Sequence, residues 1–284
     1  MSLLQAVVLG IVQGLTEFVP VSSTAHLYLA QAIMGIRNDA MALAFDIVLH
    51  LGTAAALIVS TRRELARMLA EAAAWMRGQA PRDRTARALL LPLVVGTIPG
   101  VLAGLLLLHR FEAFRSPGLI GVSMLAACVY FFAAEGVSDR RTTPDRDLAD
   151  LDAADGLWVG LAQAAAGLLA GLSRSGFTIA TGRLRRFARP DAARFSFLLA
   201  LPIILGAGAK ALLDLRRHPG SSMVATVLIA GFVASAVVGY LAIELLLRFL
   251  RTHSLRPFGI YLALLGLALL TVQVFPGVLP ALAR

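Results

Sequence analysis

Long apolar segments with few charges follow one another along almost the whole chain. Six of them have the length of an ordinary membrane-spanning helix and cover about 40–60, 88–108, 117–136, 195–214, 221–247 and 257–280. A helix needs about 20 apolar residues to cross the hydrocarbon core of a bilayer. The pattern therefore predicts an all-α polytopic membrane protein in which residues 1–284 form a single integral membrane domain. A membrane β-barrel is excluded because the apolar runs are continuous and do not alternate with period two.

Two further apolar segments have the wrong length for one span. Residues 3–36 are too long for a single crossing and too short for two, and a proline with three hydroxyl residues interrupts them at 19–24. Pro20 breaks a helix, and a Ser or Thr can cap the next one. Residues 157–182 repeat this pattern, with the break at 171–176. We interpret both as re-entrant helical hairpins beside a buried polar site, because irregular backbone at membrane depth is tolerated only there.

The two hairpins are related by a constant spacing of 150 residues. Identical residues recur at this spacing, among them Gly10 and Gly160, Gln13 and Gln163, and Ser23 and Ser173. Three spans follow each hairpin, and this odd number requires the two halves to be inserted with opposite orientation. The expected fold is an inverted-topology repeat, each half a re-entrant helical hairpin plus three transmembrane helices, with repeat 1 over about 3–137 and repeat 2 over about 155–283.

The composition agrees with the membrane class. Hydrophobic residues make up 58% of the chain and charged residues 15%, with a mean hydropathy of +0.78. Soluble domains average about 45–50% apolar and about 25% charged residues, so a soluble globular protein is excluded. The net charge of +9 does not indicate a nucleic-acid partner, because the basic residues lie between the apolar segments. The single cysteine, Cys128, excludes an internal disulfide.

The basic residues also predict the orientation in the membrane. The segment 61–87, which includes an amphipathic stretch with Trp75 expected to form an interfacial helix, is rich in arginine. Its arginines are Arg62, Arg63, Arg67, Arg77, Arg82, Arg84 and Arg87. We place this segment in the cytoplasm, together with 138–155, 183–194 and 248–256. Both termini are then periplasmic, the first hairpin enters from the periplasm, and the expected location is the bacterial inner (plasma) membrane.

Polar residues are concentrated at the two hairpin breaks. The first hairpin carries Gln13, Glu17, Ser22, Ser23, Thr24 and His26, and the second carries Ser173, Arg174, Ser175, Gly176 and Thr178. Ionisable groups in the membrane are costly to bury and are therefore functional candidates. Two half-helix N-termini and an arginine fork favour an anion such as phosphate or diphosphate. Glu17 suggests a divalent cation, Mg²⁺ or Ca²⁺, and His26 offers proton transfer or nucleophilic attack.

These residues also have purely structural interpretations. Glu17 and Arg174 could form an ion pair that joins the hairpins, and His26 could be a hydrogen-bonded core histidine. Asp46 could border the site, whereas His50 is expected to be a packing residue. The functional interpretation is favoured because the charged groups and both serine clusters fall on the two related breaks.

Both breaks resemble signatures of the undecaprenyl-diphosphate phosphatase family, also called bacitracin-resistance proteins. Residues 13–26 read Q-G-L-T-E-F-V-P-V-S-S-T-A-H and resemble (Glu/Gln)-x-x-x-Glu followed by Pro-x-Ser-Ser-x-x-His. Residues 170–178 resemble Pro-Gly-x-Ser-Arg-Ser-x-x-Thr, with Ala170 in place of the proline. Segments 45–65 and 195–206 are also similar to family segments, so the resemblance covers nearly the whole chain.

The resemblance implies hydrolysis of undecaprenyl diphosphate to undecaprenyl phosphate and inorganic phosphate, which recycles the lipid carrier for cell-wall synthesis and gives bacitracin resistance. It implies that the catalytic residues are Glu17, Ser22, Ser23, His26 and Arg174. The expected substrate-binding residues are Gln13, Thr24, Ser173, Ser175, Gly176 and Thr178. We expect Glu17 to hold the cation together with the substrate phosphates. Ser22, Ser23, His26 or a water could attack phosphorus, and we favour a serine with His26 as the acid and base.

A transporter is the alternative function, because inverted repeats with broken helices are also a transporter architecture. The chain would then move undecaprenyl phosphate across the bilayer, with or without hydrolysis. The membrane lipid-phosphatase superfamily with the signature Ser-Arg-x₅-His-x₃-Asp is excluded, because Ala180 stands where its histidine would be. The expected partners are the polyprenyl lipid and membrane lipids, with no nucleic acid, and a homodimer is left open.

Overall fold

The computed structural model describes residues 1–36, 40–106, 116–143, 145–217 and 225–275. Within these ranges the chain forms α-helices, one short 3₁₀-helix at Leu148–Asp150 and no β-strand. The α-helices are α1 (Leu3–Phe18), α2 (Ser23–Ile33), α3 (Ala40–Met76), α4 (Arg84–Leu106), α5 (Pro117–Asp139), α6 (Ala153–Leu168), α7 (Arg174–Leu184), α8 (Arg189–Arg217), α9 (Ala225–Phe249) and α10 (Arg256–Val274).

Six of these helices are long and apolar enough to cross a membrane, namely α3, α4, α5, α8, α9 and α10. They correspond one to one with the six spans expected from the hydrophobic pattern, so the prediction of an all-α polytopic membrane protein is confirmed. Large apolar side chains such as Val94, Val129 and Leu245 are more than half exposed on their outward faces. Apolar surface of this extent is expected where hydrocarbon rather than water covers a protein.

Helix α3 is longer than expected. We expected a span over 40–60 followed by a separate interfacial helix with Trp75, but α3 continues without a break to Met76. The sequence from 53 to 77 contains neither glycine nor proline, so no residue there ends the helix. The chain first turns at Gly78, whose φ of +68° is a conformation that glycine adopts without strain.

Each of the two odd segments forms a helix, a break and a second helix, as the sequence predicts. Helix α1 ends at Phe18, two residues before Pro20, and α6 ends at Leu168. The second helix of each pair has a serine at its N-cap with a positive φ, +71° at Ser22 and +61° at Ser173. A positive φ is costly for a residue other than glycine and is retained where the surrounding structure demands it, often at functional sites.

Glycines allow the hairpin helices to pack closely against membrane spans. Helix α1 packs along α9, and α6 packs along α4. A Cβ atom added at Gly10 would lie 2.6 Å from the main-chain oxygen of Gly231, and one at Gly160 would lie 2.3 Å from that of Gly96. Neither position can therefore hold a larger residue without a shift of the backbone. Close approach at small residues is a common way for membrane helices to associate.

Ion pairs connect four loops at one end of the helix bundle. The pairs are Arg84–Asp150, Arg146–Asp155, Arg185–Asp155, Arg189–Glu135 and Arg256–Asp139. Asp155 and Glu135 are fully buried, so their charges need these partners. The connected loops follow α3, α5, α7 and α9, the same four segments that the sequence analysis assigned to one side of the membrane.

Candidate active site

A cavity of about 480 Å³ lies between the two hairpin breaks. Its polar wall includes Glu17, Ser22, Ser23, Thr24, Asp46, His50, Ser173, Arg174 and Ser175. Its apolar wall includes Leu43, Ile47, Ile120, Ala166, Ala170, Ile203, Ile204 and Ala207. The structure thus brings together polar residues from both hairpins, which are about 150 positions apart in the sequence, beside a surface suited to hydrocarbon.

The carboxylate of Glu17 is the centre of the polar wall. Its Oε1 forms an ion pair with Nη2 of Arg174 from the second hairpin. Its Oε2 accepts hydrogen bonds from Nε2 of Gln13 at 2.8 Å and from Oγ of Ser23 at 2.7 Å. Glu17 and Gln13 are both buried. The charge of Glu17 is therefore compensated by a cation and by neutral donors, as a buried carboxylate requires.

The guanidinium of Arg174 uses only part of its hydrogen-bonding capacity. Nη2 contacts Glu17, while Nη1 is buried and has no hydrogen-bond partner in the described part of the chain. An unpaired buried donor is costly and calls for an explanation. Because Arg174 lines the cavity, a bound anion is the group that would satisfy it, and a phosphate oxygen fits the guanidinium fork.

Serine side chains connect the two breaks and order the start of α7. Oγ of Ser175 donates to the main-chain oxygen of Val19 in the first hairpin at 3.3 Å. Oγ of Ser173 accepts from the N–H of Gly176 at 3.3 Å and lies 3.4 Å from Oγ of Ser175. Ser22 is the N-cap of α2 but makes no capping hydrogen bond with its side chain. The first turns of two half-helices, with their outward N–H groups, thus begin at the cavity.

Three predicted substrate-binding residues lie behind the cavity wall and do not line it. Gln13 contacts Glu17, as described above. Gly176 lies against Phe131, where an added Cβ would be 2.1 Å from the ring. Thr178 is buried, and its hydroxyl donates to the main-chain oxygen of Arg174 at 2.8 Å. Gln13 and Thr178 thus contact Glu17 and Arg174 from behind the wall, whereas Gly176 packs against Phe131.

His26 is a predicted catalytic residue whose ring is engaged elsewhere. Its Nδ1 lies 2.8 Å from the main-chain oxygen of Ser22, and its Nε2 lies 2.6 Å from the hydroxyl of Tyr261 on α10. The His26 and Tyr261 rings are also stacked, with centroids 5.6 Å apart. Both ring nitrogens therefore have protein partners, and His26 does not line the cavity. In this arrangement His26 ties the first break to α10 and does not face the space beside Arg174.

The expectation that His50 is a packing residue is wrong. The structure places its ring in the cavity wall, with Nε2 3.4 Å from Oε2 of Glu17. Asp46, expected to border the site, does line the cavity and accepts a hydrogen bond from Nε2 of Gln31 at 2.7 Å. Gln31 was not singled out from the sequence. The signal available was the spacing of Asp46 and His50, one helical turn apart within an apolar span.

Comparisons with known proteins agree with the motifs at the two breaks. A family model described as bacitracin resistance protein BacA matches residues 6–268. The undecaprenyl-diphosphatase of Rubrobacter xylanophilus is 42% identical over 263 residues, which are 92% of this chain and 94% of that protein. That of Gemmatimonas aurantiaca is 42% identical over 269 residues, 94% and 96% of the two chains. That of Geobacter sulfurreducens is 40% identical over 274 residues, 95% and 98% of the two chains.

Proposed function

The chain belongs to the family of bacitracin resistance protein BacA, and from this membership we propose that it is an undecaprenyl-diphosphatase acting at the cavity between its hairpins. The reaction converts undecaprenyl diphosphate to undecaprenyl phosphate and inorganic phosphate. The activity is assigned to this cavity because Nη1 of Arg174, beside the Glu17 carboxylate, is buried and unpaired in the described part of the chain. A diphosphate supplies the acceptor oxygens that this guanidinium lacks.

Arg174 and the two helix starts provide the phosphate-binding groups. With Nη2 held by Glu17, Nη1 is available to a phosphate oxygen, so the guanidinium orients the diphosphate and stabilises charge that develops on the transferring phosphoryl group. The first N–H groups of α2 and α7 add positive partial charge from opposite sides. The apolar wall formed by Ile47, Ile203 and Ala207 would receive the first part of the prenyl chain.

Ser23 is the residue best placed to attack phosphorus. Its hydroxyl donates to Oε2 of Glu17 at 2.7 Å, so Glu17 can accept the proton as the Ser23 oxygen bonds to the terminal phosphorus. The bond from that phosphorus to the bridging oxygen then breaks, and undecaprenyl phosphate leaves. A water afterwards hydrolyses the phosphoserine and releases inorganic phosphate. This role of Glu17 replaces the one first expected for His26, whose ring nitrogens are bound to Ser22 and Tyr261.

A divalent cation, Mg²⁺ or Ca²⁺, would be held by Glu17 together with phosphate oxygens of the substrate. Within the described residues no group of three His, Cys, Asp or Glu side chains forms a cage for a metal ion. Mg²⁺ commonly binds through one or two carboxylates plus substrate phosphates, and Glu17 in the cavity wall fits this mode. Such a cation supplies charge neutralisation to the diphosphate when bound.

The cation requirement is tested with a chelator. Phosphate release should disappear in excess chelator and return when Mg²⁺ or Ca²⁺ is restored, while the melting temperature of the protein stays unchanged. Full activity in excess chelator would remove the cation from the reaction.

An inverted repeat is supported by features that recur at the same positions of the two halves. Capping boxes begin both hairpins, with Ser2 and Gln5 at α1 and Asp152 and Asp155 at α6. Serines with positive φ begin α2 and α7. The glycine contacts are also matched, because α1 contacts the second span of the other half and α6 contacts the second span of the first half.

The relative directions of the helices also support the inversion. Gly10 and Gly14 contact Gly231 and Gly239 in the same order, so α1 runs parallel to α9. Gly156 and Gly160 contact Pro92 and Gly96 in the same order, so α6 runs parallel to α4. If each hairpin returns to the side it left, successive spans alternate and α4 and α9 point in opposite directions. The two hairpins would then enter the membrane from opposite faces.

The orientation in the inner membrane follows from the arginine-rich end. The loops joined by ion pairs at that end carry most of the arginines, which favours the cytoplasm for them. The cavity is lined by the last turns of α6 and by the N-terminal half of α3, on the side of the breaks away from those loops. We therefore place the cavity opening and both termini toward the periplasm.

Phosphate release from C55 diphosphate by detergent-purified protein tests the assignment. Ser23→Ala should lower the rate by about 10³-fold or more, as loss of a nucleophile does. The matched control Ser254→Ala, at the ion-paired end of the molecule, should leave the rate unchanged. An unimpaired Ser23→Ala variant contradicts the role of Ser23. Movement of undecaprenyl phosphate across liposomes without phosphate release would instead support the transporter alternative.

A further inference from the structure

His50 is held in the cavity wall with a single ring orientation. It lies on α3, outside both hairpins, one helical turn after Asp46. Its Nδ1 lies 2.7 Å from the main-chain oxygen of Asp46, and its Nε2 lies 3.4 Å from Oε2 of Glu17. The side chain is 29% exposed and lines the cavity.

The hydrogen bond at Nδ1 decides what the other nitrogen can do. A main-chain carbonyl can only accept, so the Nδ1–H of His50 donates a hydrogen bond to the main-chain oxygen of Asp46. The carboxylate of Glu17 also only accepts, so the contact at Nε2 is attractive when that nitrogen carries a proton as well. This bond fixes the ring plane and directs Nε2 at the carboxylate of Glu17. His50 is thereby oriented by its own helix and needs no contact with the hairpins other than Glu17.

Glu17 receives contacts from three separate parts of the chain. Gln13 and Ser23 belong to the first hairpin, Arg174 belongs to the second, and His50 belongs to the first membrane span. The first hairpin is thus attached to α3 at the same carboxylate oxygen that accepts the Ser23 hydroxyl. Any rotation of that carboxylate would move the acceptor of the Ser23 proton and the partner of the Arg174 guanidinium together.

We propose that His50 is a positioning residue, whose Nε2 fixes the carboxylate of Glu17 so that Ser23 and Arg174 are held in one geometry toward the diphosphate. The inference rests on the proposed function of the cavity. The contact between His50 and Glu17 matters most when the phosphoryl group is transferred. Phosphoryl transfer depends largely on holding the reacting groups in a precise position.

Three substitutions at position 50 separate positioning from packing. In His50→Gln the amide nitrogen reaches the place of Nε2, whereas in His50→Asn it reaches only the place of Nδ1. His50→Leu introduces an apolar side chain of similar size that has neither ring nitrogen. We expect His50→Gln to keep a kcat close to that of the wild type. His50→Asn and His50→Leu should lose roughly 10- to 100-fold in kcat, the usual effect of losing a supporting contact at a reactive centre.

The measurements are kcat and KM for phosphate release from C55 diphosphate, with melting temperatures of all variants in detergent. A positioning role predicts that KM and melting temperature change little while kcat falls. His253→Leu is the matched control, because His253 is exposed near the ion-paired end and its side-chain hydrogen bonds and ring contact in the described structure are to Phe249 and Thr252. Its kcat should equal that of the wild type.

Two results would overturn the inference while leaving the assignment of the cavity intact. One is a wild-type kcat in His50→Leu, and the other is a loss of kcat in all three variants that follows their melting temperatures. Arg174→Ala, measured alongside, tests the assignment itself. If Arg174→Ala keeps full activity, the proposed function of the cavity is contradicted and the inference about His50 fails with it.

Discussion

At the scale of single residues, the site combines charge compensation with an unsatisfied donor. Glu17 is neutralised by Arg174, and this pair makes burial of two charges between the hairpins tolerable. The same pair leaves Nη1 of Arg174 buried without a partner. A phosphate site requires such a donor, and Arg174 lines the cavity in which a phosphate would bind.

Arg174→Lys separates the structural and the functional parts of this pair. Lysine keeps the positive charge opposite Glu17, so the fold and its melting temperature should be close to those of the wild type. It lacks the planar fork, so it cannot hold Glu17 and a phosphate oxygen in fixed geometry. We expect phosphate release to fall by about 10²-fold or more, comparable to removing one oxyanion donor. Wild-type turnover, or a loss of stability large enough to explain inactivity, would show that the role of Arg174 is structural.

At the scale of helices, close packing at glycine sets the position of each hairpin. The α6–α4 contact is tighter than an ordinary helix contact, because main-chain atoms of Gly96 lie where a Cβ of residue 160 would be. Displacing α6 would move the break that carries Ser173 and Arg174. The packing of small residues along α6 therefore helps to position the break that borders the cavity.

Gly160→Ala tests this packing. The added methyl group would lie 2.3 Å from the main-chain oxygen of Gly96, and we expect a destabilisation of roughly 1–3 kcal/mol, as for overpacking of a core. Gly104→Ala on α4 is the control, because nothing lies within 4 Å of its added Cβ and alanine is the better helix former. Melting temperatures in detergent measure both, and equal values for the two variants would contradict the packing argument.

Asp152 makes the stability contributed by the N-terminal cap of α6 depend on pH. Its carboxylate accepts from the N–H of Asp155 at 2.8 Å, and this hydrogen bond, with the nearby Arg146, lowers the pKa of Asp152 in the folded protein. The cap therefore stabilises the fold at pH values above the unfolded pKa, and the contribution is lost as the pH falls through the folded pKa. Asp152→Ala should cost about 1 kcal/mol at neutral pH.

The difference in melting temperature between the wild type and Asp152→Ala should shrink as the pH is lowered from 7 toward the acidic range. Asp152→Asn, whose amide oxygen can still cap the helix, serves as the comparison. A difference that stays constant over this pH range would show that the carboxylate charge does not contribute.

At the scale of the whole molecule, the ion-paired loops and the cavity lie on different sides of the hairpin breaks. Buried Asp155 is paired with Arg146 of its own loop and with Arg185, and buried Glu135 is paired with Arg189. Together with Arg84–Asp150 and Arg256–Asp139, these pairs connect the four loops at that end of the bundle. We place the opening of the cavity toward the opposite end, as proposed above.

Cysteine labelling tests which side this is. In a Cys128→Ser background, a cysteine replacing exposed Gln79 should resist an impermeant thiol reagent in intact spheroplasts, because we place its loop in the cytoplasm. A cysteine replacing exposed Gln273, at the other end of the bundle, should react readily. Ready labelling at position 79 together with protection at position 273 would reverse the orientation.

The sequence by itself was sufficient to predict the spans and the two breaks, and to single out Glu17, Ser23 and Arg174, which the structure places at one cavity. These features depend on local properties: the length of an apolar run, the effect of Pro20 on a helix, and the cost of a charge at membrane depth. The spacing of 150 residues also relates the two breaks to each other, without any information on contacts between them.

Only the tertiary structure decided which side chains share the cavity. Whether His26 turns toward Arg174 or toward Tyr261 depends on where α10 lies, and α10 is more than 200 positions away in the chain. His50 faces Glu17 because α3 packs beside the first hairpin, a contact that the pattern of α3 does not reveal. Side-chain direction is set by helix rotation and packing between distant segments, and a local sequence pattern does not encode that rotation.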